Sequence, residues 1–357
     1  MPQLWGREWS REELERRVGN LSQIAGVRLV ELADGKERGV RAAEIKTGSG
    51  LSCTVLIDRG LDISTAEYNG KALAWRSMTQ DAHPAFFEPE GLGWLRTFYG
   101  GLLVTCGMTY AGAPGEDQGQ SYGLHGRVSH LPARNVYADA AWEGDRYRVW
   151  VRGKCQESIV FSENLLLTRE VSAYLGESRL FVHDVVENVG HARAEHMYLY
   201  HINIGFPAVD EGARLISPSR SAHPRDAEAE EGKEDYPRFQ APTAGYKEKV
   251  YFHDLGTNAD GYTQTAIANP ALGHGVYIRY PKAQMPEFIE WKMMGVRNYV
   301  VGMEPANCSV LGRAAERQRG TLQFLEPGER REYRLEIGVL DGAPAIERFE
   351  RDLQAYW

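Results

Sequence analysis

Cysteine is scarce and scattered. The four residues Cys53, Cys106, Cys155 and Cys308 include no Cys-x-x-Cys pair. That excludes a disulfide framework and predicts small, buried, reduced thiols in a cytoplasmic protein. No run of about 18 apolar residues occurs, so no membrane-spanning helix is expected. The first ten residues lack a basic stretch followed by an apolar core, and no signal peptide is predicted. Neither Gly-x-Ser-x-Gly nor a Walker-type glycine run is present, so a nucleophile elbow and a phosphate loop are absent. Basic residues are outnumbered, 41 against 49 acidic, for a formal net charge of −8. Such a balance argues against nucleic acid or an anionic membrane as the main partner.

What the chain does have is short β-rich stretches separated by glycine-bearing turns. Val27–Leu32, Ala42–Thr47 and Leu51–Ile57 are the first, and the spacing continues to Arg331–Leu340. Roughly 15 short strands are predicted, with no strand–helix–strand alternation and no repeat of 20–50 residues. That pattern predicts an all-β fold, a large antiparallel β-sandwich in one domain spanning 1–357. Helices are expected only in an N-terminal extension (1–23) and at the C-terminus (341–357). Ser10 and Glu13 form a capping box for a helix reaching about Val18, and Pro344 opens a helix with Ile346, Phe349 and Leu353 on one stripe. Thr321–Leu325 and Arg331–Leu340 read as a closing hairpin about Pro327-Gly328. The acidic stretch within Ser217–Gly245 reads as a long solvated loop, decorating an edge rather than covering a site.

Met197-Tyr-Leu-Tyr-His-Ile-Asn-Ile-Gly-Phe-Pro207 stands out among the strands. Alternation puts Leu199, His201 and Asn203 on one face and Tyr198, Tyr200, Ile202 and Ile204 on an apolar other face. His201 thus comes near a strand exit, where an acid or base can be presented, or serves as a structural histidine. His125 lies between glycines in Gly123-Leu-His-Gly-Arg127. Glu304 precedes Pro305 at the exit of another strand. Opening a sugar hemiacetal requires a base at the anomeric hydroxyl and an acid at the ring oxygen, and Glu and His suit that task near neutral pH. A divalent metal held by some of His183, Glu195, His196, His201 and Glu304 is the competing reading. His196 and His201 differ by five, however, which puts them on opposite faces of one strand.

Five motifs together resemble the galactose mutarotase-like (aldose 1-epimerase-like) superfamily, and more closely a bacterial branch of it whose function is unknown. They are Asp58-Arg-Gly-Leu-Asp-Ile63, Trp94-Leu-Arg-Thr-Phe-Tyr-Gly-Gly-Leu-Leu103, Leu124-His-Gly-Arg127, Leu199-Tyr-His-Ile-Asn-Ile-Gly205 and Gly302-Met-Glu-Pro305. The resemblance implies a mutarotase-like sandwich and an isomerase without cofactor or metal, acting on a small sugar. In that reading Glu304 is the base, His201 the acid and His125 their assistant, while Arg96, Arg127 and Asn203 position hydroxyls. Asp254, in Tyr251-Phe-His-Asp-Leu, is the nearest counterpart of the family's positioning Asp. The surroundings of His201 depart from the family's Asn-His-Thr-Tyr pattern. Two alternatives stay open: enolisation of a keto or modified sugar, with or without a metal, and non-catalytic sugar binding. Self-association is compatible with all three.

Overall fold

Along Asn164–Tyr174 and Arg179–Asn188 buried residues recur at every second position over most of each strand, as expected where one sheet face packs inward and the other meets solvent. The computed structural model describes residues 1–356. Three antiparallel sheets carry most of the chain. An eight-stranded sheet runs in the order Arg134–Glu143, Arg146–Ser158, Asn164–Tyr174, Arg179–Asn188, Arg330–Asp341, His274–Pro281, Tyr262–Asn269 and Arg214–Ile216. Facing it is a seven-stranded sheet ordered Ser219–Pro224, Lys249–Leu255, Glu287–Met294, Tyr299–Ala306, Ala194–Ile204 and Gln323–Leu325, with Val104–Met108 also paired to Ala194–Ile204. A five-stranded sheet spans Gly26 to Ala72.

The seven-stranded sheet is covered on both faces. Inward, Tyr198, Tyr200, Ile202 and Ile204 join Leu165, Leu167 and Val182 of the opposite sheet in the largest apolar cluster. Outward, Leu199, Val104, Cys106 and Ile289 join Trp94, Phe98 and Tyr99 in a second cluster. The inward face of Ala194–Ile204 is not purely apolar. Both tyrosine hydroxyls donate to Asp184 Oδ2, Tyr198 at 2.8 Å and Tyr200 at 2.6 Å, and Arg169 grips the same carboxylate through two nitrogens. A buried carboxylate without such donors would be costly; with them it fixes the strand from behind.

Several local expectations change. The N-terminal capping box forms, but its helix is only Arg11–Glu15. The C-terminal helix runs Ala343–Asp352, with Ile346 and Phe349 buried. Gln323–Leu325 and Arg330–Asp341 do not form a hairpin: the first pairs with Ala194–Ile204, the second with strands of the opposite sheet. Pro327-Gly328 therefore carries the chain from one sheet to the other. Residues 217–245 are not a solvated loop. Ser219–Pro224 is the edge strand of the seven-stranded sheet, and a helical turn, Ala227–Glu230, buries Ala229 under an Asp226 cap. Lys292, almost wholly buried, then donates to the carbonyls of Asp235 at 2.7 Å and Arg238 at 2.7 Å. The acidic composition faces solvent, while the backbone is tied down.

Candidate active site

Ala194–Ile204 and Tyr299–Ala306 are antiparallel neighbours, in a register set by Leu199 opposite Ala306 and Ile202 opposite Met303. That register puts His201 opposite Glu304 on the outward face. The ladder is interrupted there, beside Pro305, which has no N–H to donate. Cross-strand partners bring their side chains together. His201 Nε2 lies 3.2 Å from Glu304 Oε1, and the two residues are only 5% and 2% exposed. On its other edge His201 is paired with Val104, so its backbone is held from both sides.

Room for the carboxylate comes from Gly302. A Cβ there would lie 2.6 Å from Glu304 Oε1 and 3.4 Å from His201 Cε1. His125 enters from its turn with a left-handed backbone, φ +59, unusual for a residue with a side chain. Its N–H donates to Gly112 O at 3.0 Å, and Gly107 N–H donates to its carbonyl at 3.1 Å. The imidazole packs edge-on to that of His201, with ring centroids 5.7 Å apart.

Aromatic rings wall these three groups. Phe98 and Trp291 each lie 5.3 Å from the His201 ring, and Trp94 lies 4.8 Å from that of His125. Trp75 closes the set, 5.9 Å from Phe98 and 6.2 Å from Trp291. Trp94 lies in the short turn Gly93–Thr97 and Phe98 caps it, and Arg59 is what holds that turn. Fully buried, Arg59 donates to Ser129 O at 2.6 Å, Ala82 O at 2.8 Å and Thr97 O at 3.1 Å, while Ser129 Oγ accepts from Trp94 Nε1. The Asp58-Arg59-Gly60 motif thus braces the aromatic wall.

Burial decides the protonation of the site. It holds the Glu304 carboxyl well above the usual carboxylate range, with Glu248 adding to the effect and Arg225 opposing it. It holds His201 well below the usual imidazole range, with His125 adding to that. Burial also brings His125 down to about 4. Both shifts favour the uncharged forms, a protonated carboxyl beside a neutral imidazole, so the pair sets an acid against a base. His201 Nδ1 and Glu304 Oε1 are buried with no hydrogen-bond partner among the described residues.

The positions expected to bind substrate are arranged otherwise. Arg96 stands between Trp94 and Phe98 in sequence, but its exposed guanidinium pairs with Glu88 Oε2 at 3.1 Å. Asp254 pairs with Lys282 at 2.7 Å on the surface. Arg127 is exposed and lines a small crevice with Tyr122, Glu157 and Glu163. Asn203 shares the face of His201, yet its amide serves the backbone, donating to Gly101 O at 3.1 Å and His201 O at 3.0 Å. The candidate metal ligands disperse as well. His183 pairs with Glu332, Glu195 with Arg317, and His196 with the Tyr333 hydroxyl. Among the described residues no three His, Cys, Asp or Glu side chains converge to hold a metal ion.

Sequence reasoning missed the residues that face the pair. Trp291 donates to Glu248 Oε2 at 2.8 Å, and Glu248 Oε1 accepts from Arg225 at 3.0 Å. Trp291 lies in an alternating strand stretch, Glu287–Met294, that nothing in the sequence marks as part of a site.

Residues 37–339 match the model of a domain family of unknown function (DUF4432), and the chain belongs to that family. No curated protein sequence matches it significantly. Among solved structures it is similar to a Klebsiella pneumoniae protein provisionally assigned as an aldose 1-epimerase. Identity there is 27% and the TM-score 0.88, over 92% of this chain and 87% of that one. It is also similar to a galactose mutarotase-like protein from Clostridium acetobutylicum, with 11% identity, a TM-score of 0.65 and coverage of 89% and 99%. A galactose 1-epimerase from Lactobacillus acidophilus gives 14%, 0.57, and coverage of 88% and 99%. The fold is that of the galactose mutarotase-like proteins.

Proposed function

We propose that the chain is a sugar isomerase of the aldose 1-epimerase type, with Glu304 and His201 as its acid–base pair. One observation carries this reading: a carboxyl and an imidazole, both buried, stand 3.2 Å apart between aromatic rings suited to a sugar face. With the proton on His201, Glu304 removes the hydrogen of the anomeric hydroxyl. The C1–O5 bond breaks, O5 takes the proton from His201, and C1 becomes the aldehyde of the open chain. Rotation about C1–C2 and the reverse steps close the ring as the other anomer. With the proton on Glu304 the two exchange roles, as a reaction run in both directions requires. His125 faces His201 edge-on and assists by holding it. Arg96 and Asp254 would have to leave their present partners to touch a sugar, and Arg127 lines a separate crevice; Asn203 orients the strand.

The test is anomer exchange followed by NMR on a panel of aldoses, with the Glu304→Gln variant as control. Enhanced exchange that vanishes in the variant supports the reading. Solvent deuterium appearing at C2 would instead indicate enolisation. Binding without either would indicate a sugar-binding protein.

A further inference from the structure

The walls of the site say more about its substrate than its reacting groups do. Phe98, Trp291, Trp75 and Trp94 surround the His201–Glu304 pair. The charges that act on Glu304 are Arg225 and Glu248, and they pair with one another at 3.0 Å. Among the described residues, the buried polar side-chain atoms there without a partner are His201 Nδ1, Glu304 Oε1 and Asn203 Oδ1, with the Tyr99 hydroxyl in the adjoining cluster. Two of these belong to the reacting pair, so little is left to satisfy further hydroxyl groups. A buried hydroxyl or carboxylate against an aromatic ring, with no hydrogen bond, is costly.

Resting on the proposed reaction, the geometry fixes which part of a pyranose meets those rings. O5 must reach the pair, and C5 is bonded to O5. The C5 substituent is therefore carried in beside the reacting atoms, against Phe98 and Trp291, which both pack on His201. Hydroxyls on C3 and C4 lie on the far side of the ring. The polar groups available to them are the partly exposed Arg225 and Glu248, whose charges act on Glu304. From this we propose that the site takes uncharged sugars with an apolar C5 substituent, 6-deoxyaldoses above all, in preference to their 6-hydroxy and 6-carboxylate counterparts.

D-fucose, D-galactose and D-galacturonate share one ring configuration and differ only at C6, and L-rhamnose against L-mannose repeats the comparison in another. Two quantities are measured on the full chain. Anomer exchange by NMR gives kcat/KM, and tryptophan fluorescence of the Glu304→Gln variant gives Kd without turnover. The 6-deoxy sugar of at least one configuration should exceed its hydroxymethyl counterpart by about 10-fold or more in both, the scale set by one mismatched polar group in an apolar pocket. The carboxylate should neither bind nor exchange. Equal or better performance by the hydroxymethyl sugars, or binding of galacturonate, overturns the proposal. If deoxy sugars bind preferentially but do not exchange, the substrate class stands and the mutarotase reading falls. Exchange without preference gives the converse, and no binding by any of them removes both.

Discussion

His201 and Glu304 lie 103 positions apart in sequence yet stand opposite each other in adjacent strands, Nε2 to Oε1 at 3.2 Å. Both residues are buried, 5% and 2% exposed. The pair is therefore expected to work as a unit.

Glu304→Gln keeps the shape of the side chain and removes its basicity, and His201→Asn removes the imidazole. Each should lower kcat by about 100-fold or more, and the double variant should lose little beyond either one, because groups acting together in one ring-opening step are not additive. Losses that multiply would show two independent roles. Glu304→Gln should also change stability in a defined direction. The folded state holds the Glu304 proton at pH values where the unfolded carboxyl has released it, so this group destabilises the fold as pH rises through about 4.5 and beyond. The amide removes that cost, and the variant should melt at or above the parent temperature at pH 8.

Gly302→Ala tests the space beside the carboxylate. The new methyl would meet Glu304 Oε1 at 2.6 Å, the far end of a flexible side chain, so the carboxylate must move. Activity should fall about 10-fold or more, while thermal unfolding shifts by about 1 kcal/mol or less. A variant with unchanged kcat would show that the present carboxylate position is not the working one.

Lys292→Met removes the anchor of residues 235–238. Two backbone carbonyls lose a buried ammonium donor, and stability should drop by about 2 kcal/mol or more, with faster proteolytic cleavage between Asp226 and Gly245. Replacing Asp226–Asp235 by a Gly/Ser linker, harmless for a solvated loop, should cost more than about 1 kcal/mol, because the Asp226 cap and buried Ala229 go with it. Wild-type stability in both variants would return this segment to the status of decoration.

Acid should destabilise the fold through His196. Its Nδ1 faces Met108 O at 3.1 Å and its Nε2 faces the Tyr333 hydroxyl at 2.6 Å, an arrangement for neutral imidazole. Burial lowers it from 6.5 to about 3. Between those values the unfolded chain binds a proton that the folded one refuses, so stability is lost as pH falls below about 6.5, reaching about 2 kcal/mol from this residue at pH 5. Melting temperatures of the parent and His196→Gln from pH 7.5 to 5 should show a shallower slope for the variant. Parallel slopes would assign the acid sensitivity to other groups.

Much was legible in the linear sequence because it depends on neighbours in the chain. Period-two alternation assigned Leu199, His201 and Asn203 to one face and Tyr198, Tyr200, Ile202 and Ile204 to the other, and short β-rich stretches between glycine turns gave an antiparallel β fold. The capping box at Ser10 and Pro344 at a helix start were readable for the same reason. What only the tertiary structure decided depends on register and on long-range partners. Register alone set Glu304 opposite His201. Long-range pairing gave Arg96 to Glu88 and Asp254 to Lys282, took Asn203 for the backbone, and tied an acidic segment down through Lys292. It also turned Asp58-Arg59-Gly60 into the brace of an aromatic wall. A guanidinium or an amide is read from sequence as free, but it goes to whichever acceptor the fold places within about 3 Å.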